Sequence, residues 1–247
     1  MVIIPIIFIS IIFSMTGDEL TTLMDNRKTP DDISSDMNME IVNKKGRKRN
    51  LKVKSISKDN SKKQILWFLS PADDKGISYL KIEHENQDDE IRLWLPAFKK
   101  FRRISAKKKA DSFMGSDLSY EDMTSRPIND YNFLIIKDDF VDNIECYILE
   151  SKPRKKIKSE YSKHLTWVSK KDYLPLKEES YDSKNKLLKV KEFHYTFIDS
   201  YHLINKIFVE NVQKKTHTLL EFSNLRINTN VKDNLFQEKN MKRLPRK

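Results

Sequence analysis

Cysteine is nearly absent: Cys146 stands alone in 247 residues. One thiol cannot close an intramolecular disulfide, and paired-cysteine metal or redox chemistry is excluded. Its setting, NIECYILE, is strand-like, so Cys146 is expected as a buried core thiol. Glycine is scarce as well, at 4 residues, and neither GxGxxG nor GxxxxGK[ST] occurs. A nucleotide-binding fold built on Gly-rich phosphate loops is therefore unsupported. GxSxG and HExxH are missing too, which removes two common hydrolase constellations. The histidines His84, His164, His194, His202 and His217 are scattered over strand-like runs. Only His194 and His202, near Asp199 across a hairpin, sketch a zinc or acid–base pair.

Positive charge is abundant. Lys and Arg number 47 against 36 Asp and Glu, giving net charge +11 and a sequence pI near 9.4. Such a chain attracts polyanions, whether nucleic acid or an anionic membrane surface. The lysines recur along the whole chain, so a merely solvated surface is an equal reading. Thirteen Phe, 9 Tyr and 3 Trp can still build a core. The length suits one domain.

The run VIIPIIFISIIF, residues 2–13, is apolar except for Ser10. It is shorter than the roughly 20 residues that span a bilayer and matches the apolar part of a secretory signal. Small residues follow at Ser14 to Gly17, although no Lys or Arg precedes the run and the site is not A-x-A. The expectation is a signal peptide over 1–17, export, and one domain over 18–247. GDELTTLMDNR then reads as a short helix with Leu20, Leu23 and Met24 on one face.

From residue 36 the period becomes two, with Met37, Met39 and Ile41 alternating with polar residues. About eleven or twelve strand candidates follow, closely spaced and separated by polar turns. No long helical pattern intervenes, so the sheet is expected to be an antiparallel meander. VKDNLFQEKNMKRL reads as a closing helix with Leu235, Phe236 and Met241 against the sheet. Strands with one apolar face must curl to hide it, leaving either a tight sandwich or a half-barrel with an apolar hollow.

Two adjoining stretches draw attention. KKFRRISAKKK, residues 99–109, carries seven cations and no acid; FMGSDLSYEDM, residues 113–123, carries three carboxylates around a glycine. Asp117, Glu121 and Asp122, with Asp111, could hold a hard cation, but the spacing does not match an EF-hand and no other motif completes it. As structure, Gly115 permits a tight turn, Ser116 or Asp117 caps a short helix, and Ser119-x-x-Asp122 is a loose capping box. In the basic run, Phe98 and Phe101 bracket Lys99 and Lys100. Interleaved rings and cations suit base stacking, or a membrane-facing rim, or simple solvation.

The succession FLSPADDKGISYL, EIRLWLPAFKKFRRI and KKADSFMGSDLSYEDM resembles the outer-membrane lipoprotein-sorting protein family, the LolA-like group. The resemblance rests on Phe68, Pro71, Lys75-Gly76, Trp94-Leu95-Pro96, Arg102-Arg103-Ile104 and the block SFMGSDLSYEDM, over about residues 66 to 124. It implies an incomplete antiparallel β-barrel of about eleven strands, lidded by short helices, whose hollow holds acyl chains. It also implies a non-catalytic, monomeric periplasmic carrier without cofactor, metal or nucleic-acid partner. Such a carrier serves an inner-membrane lipid exporter and an outer-membrane acceptor. The family's lid arginine cannot be placed here by motif.

The expected acyl-chain contacts are Met37, Met39, Ile41, Trp67, Leu69, Tyr79, Trp94, Phe98, Phe113, Met114 and Trp167. Lys99, Lys100, Arg102 and Arg103 are the expected rim for head groups or an anionic membrane surface. Gly115, Asp117, Glu121 and Asp122 are the expected structural cap. The alternative is a basic nucleic-acid-binding or protein-interaction module of β fold.

Overall fold

The computed structural model describes residues 15–85 and 87–245, so the expected signal sequence lies outside the described residues up to position 14. The chain begins with helix α1, Gly17–Asp25. Its N-terminus is closed by a capping box: the Thr16 hydroxyl accepts from Glu19 N–H at 3.2 Å, and the Glu19 carboxylate accepts from Thr16 N–H at 2.7 Å. These bonds satisfy helix-end donors that would otherwise lack partners. Leu20 is buried with Leu149 and Val168, and Met24 packs beside it. Leu23 is exposed, so the expected apolar face narrows to the i, i+4 pair. A Cβ at Gly17 would sit 2.5 Å from the Phe133 backbone. Thr16 and Gly17, which the sequence reading puts at the end of the expected signal peptide, both serve this helix.

Among the described residues thirteen strands follow, where about eleven or twelve were expected. They are β1 Asp32–Val42, β2 Lys48–Lys58, β3 Lys63–Ser70, β4 Ser78–Ile82, β5 Glu90–Leu95 and β6 Lys100–Arg103. After a long connection come β7 Tyr131–Val141, β8 Ile144–Pro153, β9 Tyr161–Ser169, β10 Pro175–Asp182, β11 Leu187–Ile198, β12 Tyr201–Asn211 and β13 Thr216–Ile227. All pair antiparallel in one sheet of order β6-β5-β4-β3-β2-β1-β13-β12-β11-β10-β9-β8-β7. The sheet is curved and unclosed, an incomplete barrel whose free edges are β6 and β7.

The chain must pass from one free edge to the other. Residues 104–130 make that passage as a strap of turns across one face, here called the inner face. Register fixes that face: Met39 lies opposite Leu51 and Leu220, Val53 opposite Phe68, Leu66 opposite Tyr79, and Tyr79 opposite Leu93. These side chains form the main core together with Phe113, Leu118 and Tyr120 of the strap. α1 covers the inner face over β7–β9.

The expected closing helix shrinks to a 3-10 turn, Asp233–Leu235, and α2, Glu238–Met241. This tail covers the outer face of β2–β5, where Phe236 and Met241 pack on Ile65, Trp67 and Leu80. Strand β3 is therefore buried on both faces, which is why it reads as a continuous apolar run, ILWFL. Among the described residues, no helix is long and apolar enough to cross a membrane.

Candidate functional site

The inner face has two chemically distinct halves. Over β1–β5 it is apolar. Phe113 is fully buried there, its ring 5.2 Å from Tyr79, 5.7 Å from Tyr120 and 6.2 Å from Phe68. Met114, Met123, Ile41, Ile77 and Leu95 flank this core, half-buried. The Tyr79 hydroxyl is buried and has no hydrogen-bond partner among the described residues. Burial pushes its pKa well above the usual phenol value. A buried polar group without a partner is rare and costly. The strap is tied to this end by Arg49, which donates to the Met114 carbonyl at 3.0 Å and grips Asp74 at 2.6 and 2.7 Å. Gly115, at φ +77°, supplies the left-handed residue its turn requires.

Over β9–β13 the inner face adds polar and charged side chains beside Val168, Val209 and Leu220, and the strap's charged residues meet these one by one. Asp117 accepts from the hydroxyls of Thr216 and Thr218, the latter at 2.8 Å. Glu121 accepts from the Ser159 hydroxyl and from Glu160 N–H at 2.9 Å. Asp122 is fully buried between Lys189, at 2.8 Å, and Lys191. Tyr161 donates to it at 2.9 Å. Arg126 forks onto Glu178 at 2.6 and 2.8 Å, and Lys191 reaches the same carboxylate at 3.1 Å.

Burial alone would raise the Asp122 pKa, but Lys191 and Lys189 outweigh it and hold the carboxyl far below its usual range. Glu178 is likewise raised by burial but lowered on balance by Arg126 and Lys191. These groups therefore stay charged, and the strap is clasped by ionic bonds shielded from water.

His164 sits in the same network, 1% exposed, with Nδ1 2.9 Å from the Ser180 hydroxyl. Burial first, then Arg126, lowers its pKa to about 4 from 6.5. The unfolded chain therefore binds the proton first on acidification. Stability should be full above pH ~6.5 and fall towards pH ~4, by on the order of 3 kcal/mol from this group. Thermal melts across that window should show the loss for the wild type and flatten for His164→Gln. An unchanged slope in the variant would assign the loss elsewhere.

Some sequence expectations are corrected by this placement. Met37, Met39, Ile41, Tyr79, Phe113 and Met114 do converge on the inner face. Trp67, Leu69 and Trp94 lie on the outer face under the C-terminal tail, with Trp67 Nε1 donating to the Asn240 carbonyl at 3.2 Å. Trp167 packs with Cys146 and Ile148, also on the outer face, and donates to Asp139 at 3.0 Å. Phe98 is 70% exposed. These five cannot line one hollow with the first six, because neighbouring residues of a strand point to opposite sides.

Lys99, Lys100, Arg102 and Arg103 are exposed on the β5–β6 hairpin. Ser119 and Asp122 do exchange the two bonds of a capping box, at 2.8 and 3.3 Å, but they close a single turn and no helix follows. Asp117 ties the strap to β13 and Glu121 ties it to the β8–β9 turn, and neither is a cap. The three carboxylates face different partners, and no metal-ion cluster of His, Cys, Asp or Glu forms among the described residues. His194 and His202 flank a cleft of about 460 Å³ at the other end of the sheet, with Ile144, Leu174, Leu176 and Phe193. Sequence reasoning missed Lys189, Lys191, Glu178 and Arg126. The only local signal was charge at inward positions of a strand, KVKE, which a solvated edge also produces.

Comparison with known proteins agrees with the architecture. A crystal structure of a DUF1329 family protein from Desulfovibrio piger is 33% identical, covers 91% of this chain and 97% of its own, and superposes with TM-score 0.85. The chain belongs to the DUF1329 family. A family model described as an uncharacterized-protein-like family matches residues 59–243. A second relative, an outer membrane lipoprotein-sorting protein domain from Vibrio parahaemolyticus, is 32% identical. It covers 92% of this chain and 98% of its own, with TM-score 0.84. A LolA superfamily protein from Nitrosomonas europaea shares the fold at 18% identity and TM-score 0.73, covering 92% of this chain and 100% of its own. No curated protein matches the chain. The strap and half-barrel of this DUF1329 chain thus share their fold with a lipoprotein-sorting protein domain and with a LolA superfamily protein.

Proposed function

We propose that this protein is a non-catalytic periplasmic carrier that holds acyl chains of a lipoprotein or lipid against its inner face and ferries them towards the outer membrane. The observation that carries the reading is the apolar inner face of β1–β5. It is closed not by a second sheet but by one strap, which inserts Phe113 beside an unpartnered Tyr79 hydroxyl. The relative named for lipoprotein sorting supports the same reading.

Met37, Met39, Ile41, Tyr79, Phe113 and Met114 would touch the chain. Flexible methionines suit a wall that must both hold and release. Each CH₂ removed from water is worth about 0.8 kcal/mol, so even one acyl chain offsets much of the cost of leaving a bilayer. Lys99, Lys100, Arg102 and Arg103 would face anionic head groups. Loading and delivery would involve an inner-membrane exporter and an outer-membrane acceptor, with the protein acting as a monomer.

The test is mass spectrometry of organic extracts from protein purified without detergent from a cell envelope. A stoichiometric lipid or acylated peptide is expected, and its loss in Met39→Asp is expected to accompany a retained β circular dichroism signal. A clean extract from folded wild-type protein would overturn the carrier reading.

A further inference from the structure

The lysines that look dispersed along the chain are gathered by the topology. In an antiparallel meander, alternate turns lie at the same end of the sheet. One end holds the turns β1–β2 (NKKGR), β3–β4 (PADDKGI), β5–β6 (PAFK), β8–β9 (RKKIKSE), β10–β11 (SKNK) and β12–β13 (VQKK). Together these six turns carry thirteen Lys or Arg and three Asp or Glu. All thirteen cations are exposed. Among the described residues, Lys156 alone of them makes an ion pair, with Asp130 at 3.2 Å.

At the opposite end the hairpin turns reverse the sign, although the strap brings exposed Lys107 and Lys108 there, with Lys109 paired to Asp89 at 2.7 Å. Those hairpin turns are β2–β3 (DNSK), β4–β5 (EHENQDD), β7–β8 (DN), β9–β10 (KKDYL) and β11–β12 (DS). They carry eight acids and three Lys. The barrel is therefore electrically polar along the strand direction, and net charge +11 understates the field at the basic end.

The basic end also carries apolar groups. Phe98 protrudes from the β5–β6 turn, 70% exposed, next to Lys99. Ile41, Ile77, Leu95 and Met114, half-buried at the margin of the inner core, lie at this same end. Strands are ~4.8 Å apart, so neighbouring turns stand about 10 Å apart and six of them trace a rim of roughly 50 Å. That is far wider than one lipid head group.

We infer that the six-turn basic end is a docking surface for an anionic bilayer, with Phe98 entering the head-group region and the apolar margin of the inner face presented to the membrane. Cations beside an exposed ring at the rim of an apolar core match the chemistry of an anionic interface. Nucleic acid would use the cations but not an apolar margin leading into the core. The inference stands apart from the carrier reading, since a surface can bind vesicles whether or not the inner face holds a lipid.

Flotation with vesicles of phosphatidylcholine, with and without phosphatidylglycerol, tests it on the purified protein. Binding is expected only with phosphatidylglycerol and should be released by salt. The triple variant K44E/K45E/R47E should lower vesicle affinity about a hundredfold, given what each cation near an anionic surface contributes. Phe98→Ala should weaken binding several-fold, and K170E/K171E at the opposite end should leave it unchanged. All of these positions except the partly buried Lys170 are exposed, and an unchanged melting temperature excludes misfolding. Equal losses from both charge reversals would overturn the inference in favour of diffuse net charge. So would a single-stranded oligonucleotide that binds through these turns more tightly than the vesicles do.

Discussion

Asp122→Ala should be one of the two most damaging single truncations in the strap, costing about 3–5 kcal/mol because it leaves buried charge without its partner. Lys189 and Lys191 have side chains only 5% exposed, and both converge on this carboxylate. Without it Lys191 keeps Glu178 at 3.1 Å, while Lys189 keeps the neutral Tyr161 hydroxyl at 2.6 Å and, as its remaining carboxylate, Glu160 at 3.5 Å. For a chain of this size the melting temperature should fall by roughly 6–20 °C. Adding Lys191→Met to Asp122→Ala should recover part of the loss, since one stranded ammonium is replaced by an apolar chain of similar shape. A drop under about 2 °C for Asp122→Ala would mean that water reaches the clasp and screens it.

Phe113→Ala is the second large effect, and it separates the two faces of the sheet. Removing a buried ring that touches Phe68, Tyr79 and Tyr120 should cost about 3–5 kcal/mol. A void lined by rings and methionines stays dry and takes up apolar molecules. The variant should therefore bind a hydrophobic fluorescent dye more strongly than wild type. Trp67→Ala should lose comparable stability on the outer face without creating an inner-face site for the dye. Equal dye binding by both variants would show that the dye reports loosening of the whole fold rather than space under the strap.

How much of this was legible in the sequence depends on the range over which each signal acts. Alternation in DMNMEI placed Met37, Met39 and Ile41 on one face correctly, because period two is a property of the strand itself. The block SFMGSDLSYEDM pointed to the family, and hence to an unclosed barrel that patterning alone could not separate from a sandwich.

The face of Trp67 was not legible. In QILWFL both parities are apolar, since the strap covers one side and the C-terminal tail the other. Asp122 read as a cap because its partner Ser119 is three residues away, whereas Lys189 and Lys191 lie 67 and 69 residues away. No local pattern encodes that pairing. The basic end was invisible for a related reason: turns far apart in sequence share an end only once the strand order is known.

The strand order itself bears on when this protein can finish folding. Every ladder but one joins strands that are neighbours in the sequence, so most hairpins can form as soon as both their strands exist. The exception is β1 with β13, where Met37 meets Phe222. That contact bridges almost the whole chain, and closing so long a loop is entropically the last and slowest step. Until Thr216–Ile227 has been synthesised, the sheet remains two unjoined pieces, each with an extra bare edge. A chain that cannot complete its sheet before its last strand arrives stays open late in synthesis, the condition that threading through a translocation pore demands.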